Sequence, residues 1–135
     1  MTEYFLLRLD EIQPTQLYIS AQKLAEVLRG FDAARPATVE PFPVKRLDDE
    51  LVLTDGHTRA FAAFLCGLSE IRAYWDEDDL DWEAYRICVQ WCRADGIRSV
   101  KDLVGRVVGP REYQQKWLDR CAEMHRELSA KRDSG

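Results

Sequence analysis

Asp55-Gly56-His57-Thr58-Arg59 puts an acid, a glycine, an imidazole, a hydroxyl and a guanidinium in five consecutive positions. LVLT precedes them and AFAAFLCG follows, so the five sit where a strand becomes a helix. The first N–H groups of a helix lack internal partners and carry the positive end of its dipole. A phosphate or another anion fits there. Gly56 lets the backbone approach closely or take positive φ. Thr58 offers a hydroxyl, and Arg59 a forked cation suited to phosphate. His57 can donate a hydrogen bond or move a proton near neutral pH. Asp55 can hold a metal ion or accept a proton. The same residues also read as a plain Asp-Gly turn with a capping side chain and a surface arginine. The match is neither a P-loop nor a dinucleotide fingerprint.

Other groupings favour packing. Cys88-x₃-Cys92 and Cys121-x₃-His125 are i, i+4 pairs that could together hold zinc. They fall in line with Tyr85, Trp91, Trp117 and Met124, as a core stripe does, and no zinc is expected. Trp82, Trp91, Trp117, Tyr85 and Tyr113 recur at helical intervals, which predicts helix-on-helix packing rather than a base-stacking platform. Asp76, Glu77, Asp78, Asp79 and Asp81 read as a solvated loop that favours the helix start after it.

The elements that must position the turn follow from the pattern. FLLRL (5–9) reads as a strand. Ser20 caps a helix over AQKLAEVLR that stops at Gly30. FPVKRL and LVLT form a hairpin around Asp48-Asp49-Glu50. A helix from about Thr58 to Cys66 stops at Gly67, and IRAYW (71–75) is a strand. Beyond it the chain turns helical. Asp79 or Asp81 caps WEAYRICVQWCRAD, Ser99 starts SVKDLVGR, and Pro110 opens a last helix with fraying over 131–135. The spacing predicts a single domain over 1–135, with residues 1–75 as α/β core and 76–130 as a helical extension packed on it.

Composition narrows the partners. The formal net charge is −5 and the pI near 5.1. Residues 1–92 carry 9 Lys/Arg against 17 Asp/Glu, and residues 93–135 carry 10 against 7. That basic excess is interleaved with acids, so nucleic acid is disfavoured as a partner though not excluded. No membrane span or export leader is visible, which predicts a cytoplasmic protein whose four cysteines, Cys66, Cys88, Cys92 and Cys121, are free and mostly buried thiols.

The stretches LLRLDEIQPTQLYIS, PVKRLDDELVLTDGHTRAFAAFLCGL and IRAYW resemble the ParB/sulfiredoxin-like superfamily over roughly residues 5–75. The resemblance implies an α/β (α+β) fold, a small mixed sheet with helices, here followed by the helical extension. It implies a nucleotide phosphate chain held at the Gly-x-x-Arg turn, with ATP, ADP or CTP and Mg as cofactors. Gly56 and Arg59 match the phosphate-contacting turn, flanked by His57 and Thr58. Asp55 and His57 resemble the acid and histidine of the DGH-type members, which include kinases of free serine. Asp55 would be the metal ligand, and Asp55 and His57 the catalytic pair. Sulfiredoxins have a cysteine where this chain has His57, so sulfinic-acid reduction is not implied. Partition proteins carry Glu-Arg-Arg where it has His57-Thr58-Arg59. The expectation is a site for a nucleotide or phosphorylated small molecule, with phosphoryl transfer or nucleotide hydrolysis as the reaction class. Two alternatives stand beside it: a DNA-associated ParB-like protein or nuclease, and a sensor or interaction module without turnover.

Overall fold

A computed structural model of the chain describes residues 2–134. Alternating exposure along Phe5–Arg8 gives β1. Gln13 to Thr15 run on, and a two-residue strand β2 (Ile19–Ser20) leads into α1 (Ala21–Arg29). Ser20 caps α1 as expected, its hydroxyl accepting from the Lys23 N–H at 3.3 Å. β3 (Phe42–Leu47) and β4 (Glu50–Leu53) form the hairpin. Asp48 and Asp49 both take positive φ, 49° and 70°. This is the twist a two-residue hairpin requires, reached here with aspartates in place of Asn-Gly. α2 (His57–Leu65) and β5 (Glu70–Trp75) follow.

The sheet is four-stranded and mixed, in the order β1-β5-β3-β4. β3 runs parallel to β5, whereas β1 with β5 and β3 with β4 are antiparallel. This register brings the C-terminal ends of β4 and β5 to the same place, because Leu53 and Trp75 both pair with Val44. Thr54 and Asp76, the next residues, therefore flank one point on β3. α2 starts from that corner, and its Ala60, Phe61, Ala62 and Ala63 are buried.

α3 (Trp82–Ala94) begins the helical part. The short helix expected after Ser99 is a single 3₁₀ turn, Val100–Leu103. β6 (Val107–Val108) pairs in parallel with β2, a contact between two-residue strands too short to show alternation in sequence. The last helix starts at Pro110 as α4 (Pro110–Tyr113), widens into a π turn at Gln114–Leu118, and continues as α5 (Asp119–Ser134). The expected fraying is corrected over Lys131 to Ser134. They stay helical, and Arg132 donates to both Asp81 oxygens at 2.9 and 3.1 Å. Gly135 lies outside the described residues.

One buried cluster draws on both parts: Leu17, Ile19, Phe42, Val44 and Phe61 from the first, and Cys92, Ile97, Leu103, Trp117 and Met124 from the second. The fold is mixed α+β. Among the described residues no helix is long and apolar enough to cross a membrane.

Candidate functional site at the strand-to-helix turn

Gly56 is the conformational hinge of the turn. Its φ of 80° and ψ of 26° lie in the left-handed region, where a side chain is costly. A side chain there would also have to displace the Arg59 guanidinium. A Cβ on Gly56 would lie 2.8 Å from Arg59 Nη2 and 3.3 Å from Phe42 Cδ1. The Asp55 carboxylate accepts from the Gly56 N–H at 2.8 Å. No side chain caps α2, and among the described residues the N–H groups of His57, Thr58 and Arg59 find no protein acceptor.

Arg59 folds back across this opening. Its Nη1 donates to the Glu40 carbonyl at 2.9 Å. Its guanidinium lies 4.4 Å from the centre of the Phe42 ring, a cation–π stack. No carboxylate among the described residues comes within 4.0 Å of it. The cation is thus positioned by a carbonyl and a ring, and its charge is not neutralised. Thr58, half-buried beside it, makes no side-chain hydrogen bond among the described residues.

His57 is 6 % exposed. Its Nε2 accepts from the Thr15 backbone N–H at 2.9 Å, and the Thr15 hydroxyl donates to the Leu53 carbonyl at 2.7 Å. Burial pushes the imidazole down to about 4, against a smaller opposing pull from Asp55. The ring is therefore neutral, with its proton on Nδ1, which has no partner among the described residues and is not sealed from solvent. That is the configuration of a fixed donor.

The turn opens into a cleft of about 210 Å³ between the α/β core and the helical extension. Asp55, His57 and Thr15 line one side, and Tyr85, Cys88, Trp117, Cys121 and His125 the other. Asp55 and His57 thus share one cleft. Arg59 is turned away from it toward Glu40, on the other flank of the helix start.

The sequence reading placed Asp76 in a solvated acidic loop, and the structure corrects it. Asp76 is only 8 % exposed. Its Oδ2 accepts from the Thr54 hydroxyl at 2.6 Å and its Oδ1 from the Asp78 N–H at 3.0 Å. The Tyr85 hydroxyl donates to the Thr54 carbonyl at 3.0 Å, so strand end, turn and α3 are joined. Burial, with Asp55 and Asp76 nearby, pushes the Tyr85 phenol up. The signal was an aspartate one residue past a strand, but only the sheet register reveals its partner. Asp81 does cap α3, accepting from the Ala84 N–H at 3.3 Å. Among the described residues, no three His, Cys, Asp or Glu side chains are grouped to hold a metal ion. Asp55 and Asp81 are the carboxylates that line the cleft.

No protein-family model matches the chain, and neither does any curated protein. Solved structures do. The crystal structure of protein Atu1540 from Agrobacterium tumefaciens aligns with 73 % of this chain and 51 % of its own, at 14 % identity and a TM-score of 0.49. A Pnob8-like ParB-N domain aligns with 98 % of this chain and 51 % of its own, at 17 % identity and a TM-score of 0.47. The chain spans about half the length of these solved chains.

Proposed function

We propose that the Asp55–Arg59 turn binds the phosphate of a nucleotide or another phosphorylated small molecule. One observation carries this reading: an arginine without a carboxylate partner, stacked on Phe42, lies against a left-handed glycine beside three helix N–H groups that have no protein acceptor. An anion there would receive backbone donors, the helix dipole and a guanidinium together. ATP, ADP or CTP are the first ligands to test. Mg²⁺ commonly takes one or two carboxylates and completes its shell with phosphate oxygens and water. Asp55, with one oxygen on the Gly56 N–H, fits that sparse role and would hold the ion only alongside a phosphate. Phosphoryl transfer or nucleotide hydrolysis is the matching reaction class. His57 would act there through its Nδ1–H as a donor to developing negative charge, since Nε2 is committed to Thr15.

The test is ligand-dependent thermal stabilisation with and without Mg²⁺. A nucleotide at 100 times its dissociation constant should add about 2.7 kcal/mol. Arg59→Ala should weaken binding about tenfold or more, because a charge-assisted hydrogen bond contributes roughly 1.5–3 kcal/mol. Arg59→Lys should recover part of it, lacking the fork. Gly56→Ala should reduce binding with no change of charge. Arg59→Ala also loses the Glu40 and Phe42 contacts, so the ligand-induced shift is compared with each variant's own baseline. Unchanged affinity in Arg59→Ala, or no shift from any nucleotide at millimolar concentration, would end this reading.

A further inference from the structure

The two edges of the four-stranded sheet end differently. At the β4 edge the chain closes the ladder itself: Gln13 donates its N–H to the Leu51 carbonyl at 2.8 Å, and its carbonyl accepts the Leu53 N–H at 3.0 Å. At the other edge lies β1, and nothing among the described residues pairs with its outer side. The register decides which groups are left open. The Leu9 N–H donates to the Ser69 carbonyl at 2.9 Å, one step beyond the Arg8–Glu70 pair. Hydrogen-bonded and non-bonded pairs alternate in an antiparallel ladder. Phe5 and Leu7 therefore turn their N–H and C=O groups toward β5, and Tyr4, Leu6 and Arg8 turn theirs outward. The Arg8 carbonyl is taken up by the 3₁₀ turn at Leu9–Glu11, which leaves its N–H. Edge strands are ordinarily kept from pairing by charge, proline or a bulge. Here Leu6 is 64 % exposed, more than any other large hydrophobic among the described residues, and Tyr4 is 55 % exposed. Arg8 is the sole charge along Tyr4–Arg8, and Asp10 already holds it at 2.9 and 3.1 Å.

We propose that β1 pairs with β1 of a second copy of this chain, antiparallel about a two-fold axis at Leu6. Of the registers that match outward residues with outward ones, this one engages Tyr4, Leu6 and Arg8 together in both copies. Its backbone hydrogen bonds run from the Leu6 N–H to the Leu6 carbonyl and from the Arg8 N–H to the Tyr4 carbonyl, each made in both directions. Side chains directly opposite share a face. On the outer face Leu6 meets Leu6, beside a shallow apolar hollow of about 220 Å³ that each Leu6 lines with Pro36, Ala37 and Val39. The Arg8 guanidinium comes over the Tyr4 ring of the other copy, a cation–π pair. On the inner face Phe5 meets Leu7. No carboxylate is brought opposite a carboxylate. That self-complementarity selects a second copy over an unrelated strand. The two sheets become one continuous sheet. The Asp55–Arg59 turn lies on other elements, and none of this depends on phosphate binding there.

The test is the mass of the full chain in solution, by light scattering after size exclusion. The parent should elute at twice the 15.7 kDa of one chain. Leu6→Lys sets two cations against each other on the axis and should return the protein to the mass of one chain. Leu6→Pro should do the same by removing the outward N–H, and the fold should tolerate it because that N–H bonds to nothing in β5. Both should keep the circular dichroism spectrum of the parent. Val104→Lys, at a residue 57 % exposed away from β1, should leave the dimer intact. The register is read separately. With the exposed Cys66 replaced by Ser, Leu6→Cys should cross-link two chains on oxidation, since Cα atoms about 5.5 Å apart admit a disulfide. A parent chain at the mass of one chain up to millimolar concentration would overturn the proposal and leave the edge to a strand of another protein. A dimer that survives both Leu6→Lys and Leu6→Pro would overturn it too, by placing the contact elsewhere.

Discussion

His57 joins two segments 42 residues apart by accepting the Thr15 N–H. The neutral ring has a consequence for pH. The unfolded chain takes up a proton at its ordinary value near 6.5, but the folded one does so only at about 4. Protonation within that window favours the unfolded state. The contribution is complete above pH 6.5, declines as pH falls toward 4, and changes no further below it. At 1.36 kcal/mol per pKa unit, it amounts to about 3 kcal/mol. His57→Gln keeps an acceptor for Thr15 but does not titrate. Urea melts from pH 7 to pH 4 should therefore show a steeper loss in the parent than in His57→Gln. Equal slopes would mean that the imidazole is not held neutral by the fold. At this scale the sequence was partly legible. The demand for glycine at position 56 was visible in Asp-Gly before a helical run, because it is local. The partners of His57 and Arg59, Thr15 and the Glu40 carbonyl, were not, because they come from segments that only the sheet brings near.

Helix boundaries were legible for a similar reason. Ser20 and Asp81 cap within three residues of themselves, and Pro110 fits the first turn it occupies. The π turn left no such trace, since QQKWL is ordinary helical sequence and its widening seats Trp117 against Trp91, edge to face at 6.2 Å. The last helix also meets Asp81, 51 residues before Arg132, near its end. Asp81 thus serves two ends at once, and its roles can be separated. Asp81→Ala removes cap and ion pair and should cost about 1 kcal/mol in urea denaturation. Asp81→Asn keeps an acceptor for Ala84 and should cost only a few tenths, because a half-exposed pair contributes below about 1 kcal/mol. Equal losses in both would shift the weight from the cap to Arg132.

Across the whole molecule, the resemblance in sequence covers residues 5–75, but the contacts run on beyond it. Gln13 carries the link: its backbone extends the β4 edge, with N–H to Leu51 at 2.8 Å and carbonyl from Leu53 at 3.0 Å, and its side chain donates to the Ile97 carbonyl at 2.8 Å. Residues 1–76 alone would lose that acceptor, the β6 partner of β2, and the buried Ile97, Leu103, Trp117 and Met124. They should show no cooperative urea transition by circular dichroism, whereas the full chain should. A sharp transition in the fragment would make the extension dispensable for the fold. The helical part was readable as helices, but its role in completing the core was not, because two-residue strands and one glutamine leave no periodic signal. The Ile19–Val107 pairing also sets an order of events during synthesis. The ribosome delivers residue 19 long before residue 107. At a translation rate of about 5–20 residues per second, Leu17 and Ile19 wait several seconds without their final cover. Much of that interval is an exposure of apolar chain that chaperones can detect, and slowing translation through α3 should lengthen it.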